Sequence, residues 1–187
     1  MSVTKKAIAK SDRQPIQNLS SAIKSLIYTL NGRWHRRAMQ VFMLVILAHL
    51  LEHFFQAYQV YVMGWSRPDA LGALGFIYPW LVRSEWLHYG HALFMLVGLA
   101  VLRPAIVGEA RNWWNIAFVL QFWHHFEHAL LLGQVLIHKN LFDSSVPTSV
   151  LQLWIPRLEV HLFYNTVVLI PMLIALYYHR FPPAQRA

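Results

Sequence analysis

Cysteine is absent from all 187 residues. Disulfides, thiolate metal ligands and covalent attachment of haem are therefore excluded, and any metal held by this chain must accept nitrogen and oxygen ligands. Charge is scarce as well: 13% of the residues are charged, only eight are acidic, and 57% are hydrophobic. With a mean hydropathy of +0.37, the chain is too apolar for an ordinary soluble domain and reads as an integral membrane protein. The N-terminal region lacks the short basic leader and small-residue cleavage site of a signal peptide, so the first long apolar run is expected to remain as an anchor.

Basic residues outnumber acidic ones by sixteen to eight, and eight of the sixteen crowd the first 37 positions: Lys5, Lys6, Lys10, Arg13, Lys24, Arg33, Arg36 and Arg37. Such a flank suits a cytoplasmic face against anionic membrane lipid, and no nucleic-acid partner is expected. Within it, Leu19, Ile23, Leu26, Ile27 and Leu30 recur at helical spacing opposite Lys24, with Gly32 as a stop. This predicts an amphipathic interfacial helix over residues 18–30, after a disordered tail over residues 1–17. Residues 1–33 then form a cytoplasmic segment and residues 34–187 the transmembrane domain.

Four apolar windows approach the roughly 20 residues needed to cross a bilayer: Ala38 to Val62, Val82 to Leu102, Trp113 to Ile137 and Pro156 to Tyr178. Placing the N-terminus inside puts twelve of the sixteen basic residues on cytoplasmic segments and leaves only Arg67, Arg83, Lys139 and Arg157 outside. Both ends of the chain are therefore expected inside, in a bacterial cytoplasmic membrane.

An internal repeat organises these windows. His49-Leu-Leu-Glu52-His53, followed by Gln59, recurs 75 residues later as His124-His-Phe-Glu127-His128, followed by Gln134. Likewise Trp80, Arg83, Glu85 and His88 are echoed by Trp154, Arg157, Glu159 and His161. A two-helix unit, duplicated as residues 36–102 and 111–178, preserves orientation. The fold class expected is thus an all-α membrane four-helix bundle with a pseudo-twofold axis along the membrane normal.

The repeated motifs carry the chemistry. Positions i, i+3 and i+4 share a helix face, so His49 converges with Glu52 and His53, and His124 with Glu127 and His128. His88 and His91 lie one turn apart, as do His161 and Asn165. His53, His91, His128 and Asn165 each fall nine residues inward from the estimated outer end of their window, about 13 Å deep at 1.5 Å per residue, which predicts one common layer. His125 points about 100° away from His124 and is expected to support rather than ligate. Glu85 and Glu159 lie shallower, where ion pairing and ligation are equally open.

A central carboxylate costs roughly 2.5 to 3.5 kcal/mol on insertion scales, so something must offset it. Divalent metal does so, and the candidate ligands are His49, Glu52, His53, His88, His91, His124, Glu127, His128, His161 and Asn165. Two ions are expected, iron first, with manganese, zinc or copper as alternatives. The reading favoured is a di-metal oxidoreductase acting with oxygen or electrons on a lipid, a quinone or a substrate from the outer side, with Gln59, Gln134, Tyr89 and Tyr164 supporting the ligands. Three other readings stand beside it: a divalent metal transporter, a b-type haem or pigment-binding electron-transfer subunit, and an accessory subunit of a larger membrane complex. The apolar stretches that follow His91 and Asn165 offer no conduit for transport.

Overall fold

The computed structural model describes residues 19–183. The tail expected over residues 1–17, with Lys5, Lys6, Lys10 and Arg13, and Arg186 at the other end lie outside the described residues. Among those described the structure is all-helical and contains no strand.

The first helix, α1, covers residues 19–31. Asn31 pins its end to the next part of the fold: its Nδ2 donates to Ile27 O at 2.8 Å and Val101 O at 2.7 Å, and its Oδ1 accepts from Ala105 N at 3.0 Å. After a turn at residues 32–34 comes α2 (His35–Tyr61), then two short helices, α3 (Gly72–Ile77) and α4 (Pro79–Val82). Long helices follow: α5 (Glu85–Leu102), α6 (Gly108–Leu136) and α7 (Arg157–Arg180). Three helices are long and apolar enough to cross a membrane: α2, α7, and α5 extended to Ala105. The window Trp113 to Ile137 coincides with α6 up to Leu136, Ile137 being its cap, and this helix of 29 residues also holds Glu109, Arg111, Asn115, Gln121 and the His124 motif. Those polar residues keep it out of the apolar set.

Helix α6 packs on both α5 and α7, and α2 on both α5 and α7. Met39, Phe42, Met43, Ile46, Leu50 and His53 form the buried face of α2, at the i, i+3, i+4 spacing of one helix stripe. Its opposite face exposes Val41, Leu44, Leu51, Phe54 and Phe55. A helix apolar on both faces is one whose outer face is covered by something other than water.

The assembly has two ends. One holds the start of α2, the tight connection between α5 and α6 and the end of α7, where the rings of His35 and His179 meet edge to face at 5.2 Å. The other, the loop end, carries residues 62–84 and 137–156. Between them the interior changes character. Toward the first end Met39, Phe42, Met95, Leu99, Trp114, Ala117, Val168 and Met172 form a closely packed apolar core. Trp114 is wholly buried, and its indole N–H donates to Leu99 O at 2.8 Å. Gly98 lets α2 approach α5, because a Cβ there would overlap the Phe42 ring. Toward the loop end the interior is filled by imidazoles.

Candidate histidine cluster

The four long helices each direct two polar side chains inward, one turn apart. The level nearer the loop end holds His53 of α2, His88 of α5, His128 of α6 and His161 of α7. His161 is the hub: its ring centroid lies 5.0 Å from that of His53, 5.5 Å from His88 and 5.1 Å from His128. His88 and His128 face each other at 6.1 Å. One turn deeper, His49 and His91 stack at 3.6 Å, while His124 stacks on Tyr164 at 4.5 Å. The levels are joined along each helix, His49 to His53 at 4.5 Å and His124 to His128 at 4.6 Å.

The layer expected from the sequence, His53 with His91, His128 and Asn165, is displaced by one turn on two helices. His53 and His128 lie eight residues before the ends of α2 and α6, whereas His88 and His161 lie three and four residues after the starts of α5 and α7. The descending helices begin about one turn lower than the ascending ones end, so His88 and His161 meet His53 and His128. Asn165 sits deeper and donates to His161 O of its own helix at 2.8 Å.

Hydrogen bonds fix several tautomers. A backbone carbonyl only accepts, so Nδ1 of His161, 2.7 Å from Arg157 O, and Nδ1 of His88, 2.9 Å from Ser84 O, each carry a proton. Their Nε2 atoms then carry the lone pair and aim toward the cluster. Nδ1 of His53 likewise donates to Gln56 Oε1 at 2.8 Å, and its Nε2 lies 3.0 Å from Nε2 of His49. Within these two levels four buried ring nitrogens have no hydrogen-bond partner: Nε2 of His91, Nδ1 of His124, Nδ1 of His128 and Nε2 of His161. Buried polar atoms are seldom left so, and each such atom asks for a proton, a water or an ion.

The carboxylates are turned elsewhere. Glu52 Oε1 accepts from the backbone N–H of Leu74 in α3 at 2.8 Å. Gly72 sits in a left-handed conformation at φ 72° beside it, where a Cβ would collide with that carboxylate. Glu127, buried, interacts with the Tyr164 hydroxyl and the backbone N–H of Leu151, while its Oε1 lacks a hydrogen-bond partner. Glutamine clamps accompany both. Gln59 accepts from Gly72 N at 2.8 Å and donates to Gly72 O at 3.5 Å. Gln134 accepts from Thr148 N at 3.1 Å and donates to Thr148 O at 3.0 Å. The Glu and Gln of each motif thus hold the loop that follows their own helix.

Glu85 and Glu159 are in ion pairs, each with an arginine from the other half of the chain. Arg157 grips both oxygens of Glu85, through Nη1 to Oε1 and through Nη2 to Oε2 at 2.6 Å. Glu159 accepts from Arg67 Nη2 at 2.6 Å and from the Tyr61 hydroxyl. This contact holds the Arg67 guanidinium protonated even more firmly than usual.

Of the expected supporting groups, Tyr164 is stacked on His124 and accepts from the Trp123 indole at 2.9 Å, whereas Tyr89 packs on His125 at 5.1 Å, away from the hub. Gln56, Arg67 and Trp123 join the site's surroundings without having been singled out by sequence. Gln56 stands at i+3 from His53, a spacing that was available as a signal. Among the described residues, no group of three or more His, Asp or Glu side chains is arranged to hold a metal ion as it stands. No protein-family model matches the chain, and no curated protein or solved structure matches it.

Proposed function

We propose that the chain is a membrane-embedded four-helix protein that binds transition metal through histidine nitrogens in the outer half of the bilayer, and that it works as an oxidoreductase. The observation that carries this reading is the convergence of seven imidazoles from four helices on two adjoining levels, with four buried ring nitrogens lacking any partner. Two nitrogens each about 2.0 to 2.1 Å from one metal stand roughly 3 Å apart, which is the spacing of Nε2 of His49 and His53, 3.0 Å. Small side-chain rotations would bring further nitrogens onto the same ion. Because Glu52 holds a loop and Glu127 keeps only Oε1 free, the ligand set is richer in nitrogen than a carboxylate-bridged pair of irons requires, and copper and zinc stand beside iron.

Redox work with a lipid-soluble partner, such as a quinone, is supported by an aromatic path: Trp123, half exposed on the outer face of α6, touches Tyr164, which stacks on His124. The transporter reading lacks such support, since Trp114, Val168, Met172, Leu99 and Met95 plug the interior beyond the cluster at 0–1% exposure. The imidazoles are in ring contact with one another, which supports shared ligation of metal ions more directly than axial ligation of a haem. The paired Glu and Gln clamps support duplication of a two-helix unit, with α6 as the fourth membrane span and both chain ends in the cytoplasm.

Elemental analysis of detergent-purified protein, with its absorption spectrum, tests the reading. One or two iron, copper, manganese or zinc ions per chain without a haem band are expected. Protein of full helicity with no metal, even after incubation with each ion, would leave only hydrogen-bonded packing and would overturn it.

A further inference from the structure

Above the outer level of histidines lies a cavity of 490 Å³ lined by His53, His88 and His161 at its floor and by Arg67, Arg83 and Arg157 around it. No acidic residue is among its lining residues. Arg157 and Arg67 are held by Glu85 and Glu159, but Arg83 is exposed and has no ion pair among the described residues. The local balance of these five side chains is one net positive charge. Helices α5 and α7 both begin at this cavity, adding the positive ends of their dipoles. A second observation points inward from the same place: His161, 3% exposed, leaves Nε2 without a partner at the floor. Three guanidiniums repel a cation in transit and attract an anion, and their planar forks match the paired oxygens of a carboxylate or small oxyanion.

We infer that this cavity admits a small carboxylate or oxyanion from the outer aqueous side and holds it on Arg83 between Arg67 and Arg157, beside the metal that the lone pair on Nε2 of His161 would hold. The inference rests on the metal reading for what happens next, because an anion seated there stands next to the proposed metal ligands and is either a substrate or an exogenous ligand of the site. The anion site itself needs only the arginines.

Formate serves as the probe. Binding of ¹³C-formate to the full-length protein in detergent is followed by NMR titration, on samples whose metal content is measured in parallel. Saturable binding is expected, weakened about tenfold by Arg83→Gln, the loss of one charge-assisted contact. Arg103→Gln, which removes the same charge at the far end, should leave it unaltered. The proposal is overturned if formate does not saturate, or if Arg83→Gln and Arg103→Gln bind it alike. Metal present without Arg83-dependent formate binding sinks the anion site and spares the metal reading. Arg83-dependent binding without metal does the reverse.

Discussion

At the scale of single residues, hydrogen bonds decide which polar side chains are available to a ligand. His161 and Asn165 share a helix face, yet their amide and imidazole nitrogens have different fates. The Asn165 amide is committed to His161 O, while Nε2 of His161 is buried and free. His161→Ala is therefore expected to lower metal affinity by about ten- to a hundredfold, and Asn165→Ala to leave metal content unchanged, both read by elemental analysis after dialysis against a chelator. Equal losses in the two variants would argue for a structural effect of emptying the interior. Glu52 gives a second test. Its Oε1 accepts one backbone hydrogen bond from Leu74, a role that an amide oxygen also fills. Glu52→Gln should preserve both metal content and melting temperature. Glu52→Ala should cost about 1 kcal/mol, again with metal retained. Metal lost in Glu52→Gln alone would return that carboxylate to the ligand set.

At the scale of elements, the loops over residues 62–84 and 137–156 are tied down by the helices that precede them. Gln59 reads both backbone groups of Gly72, and Gln134 both backbone groups of Thr148. Each clamp satisfies a donor and an acceptor that would otherwise be buried unpaired. Gln134→Ala is expected to destabilise the protein by about 1 to 3 kcal/mol and to open residues 137–156 to protease before the helices unfold. Limited proteolysis followed by mass mapping reads this directly, and cleavage elsewhere first would count against the clamp. These roles also show where sequence reasoning stopped. Helical periodicity placed Glu52 and Glu127 near their histidines, but a face is about 100° per residue, and a carboxylate beside His53 reaches a loop as easily as the interior. Depth counting failed by one turn on α5 and α7 for a related reason. The count ran from Val82 and Pro156, yet Val82 closes α4 and Pro156 precedes α7, and α5 and α7 begin about one turn below the ends of α2 and α6. The histidines themselves were legible because buried imidazoles in an apolar helix stand out. Arg67 was not, because an arginine in a polar loop gives no sign that it will pair with Glu159 across the other half of the chain.

At the scale of the whole molecule, the open question is a parity. Three helices are long and apolar enough to cross a membrane. Three crossings would leave the two chain ends on opposite sides, whereas a fourth crossing by α6 brings them to the same side. Geometry favours four, because α6 packs against α5 and α7 along the histidine levels and buries Gln121, His124, Glu127, His128 and Gln134 within the assembly. Polar groups turned inward leave Val119, Phe122, Trp123 and Phe126 on its outer face, the arrangement expected of a span whose mean hydropathy understates its apolar surface. The absence of native cysteine makes the test clean, since every introduced cysteine is the only thiol in the chain. Gly32→Cys and Phe181→Cys are expected to react with a membrane-impermeant maleimide only after the inner face is opened. Ser66→Cys and Ser144→Cys should react in intact spheroplasts. Reaction of Phe181→Cys together with Ser66→Cys in intact spheroplasts would place the end of α7 outside, reduce the spans to three and take the α6 histidines out of a common intramembrane site.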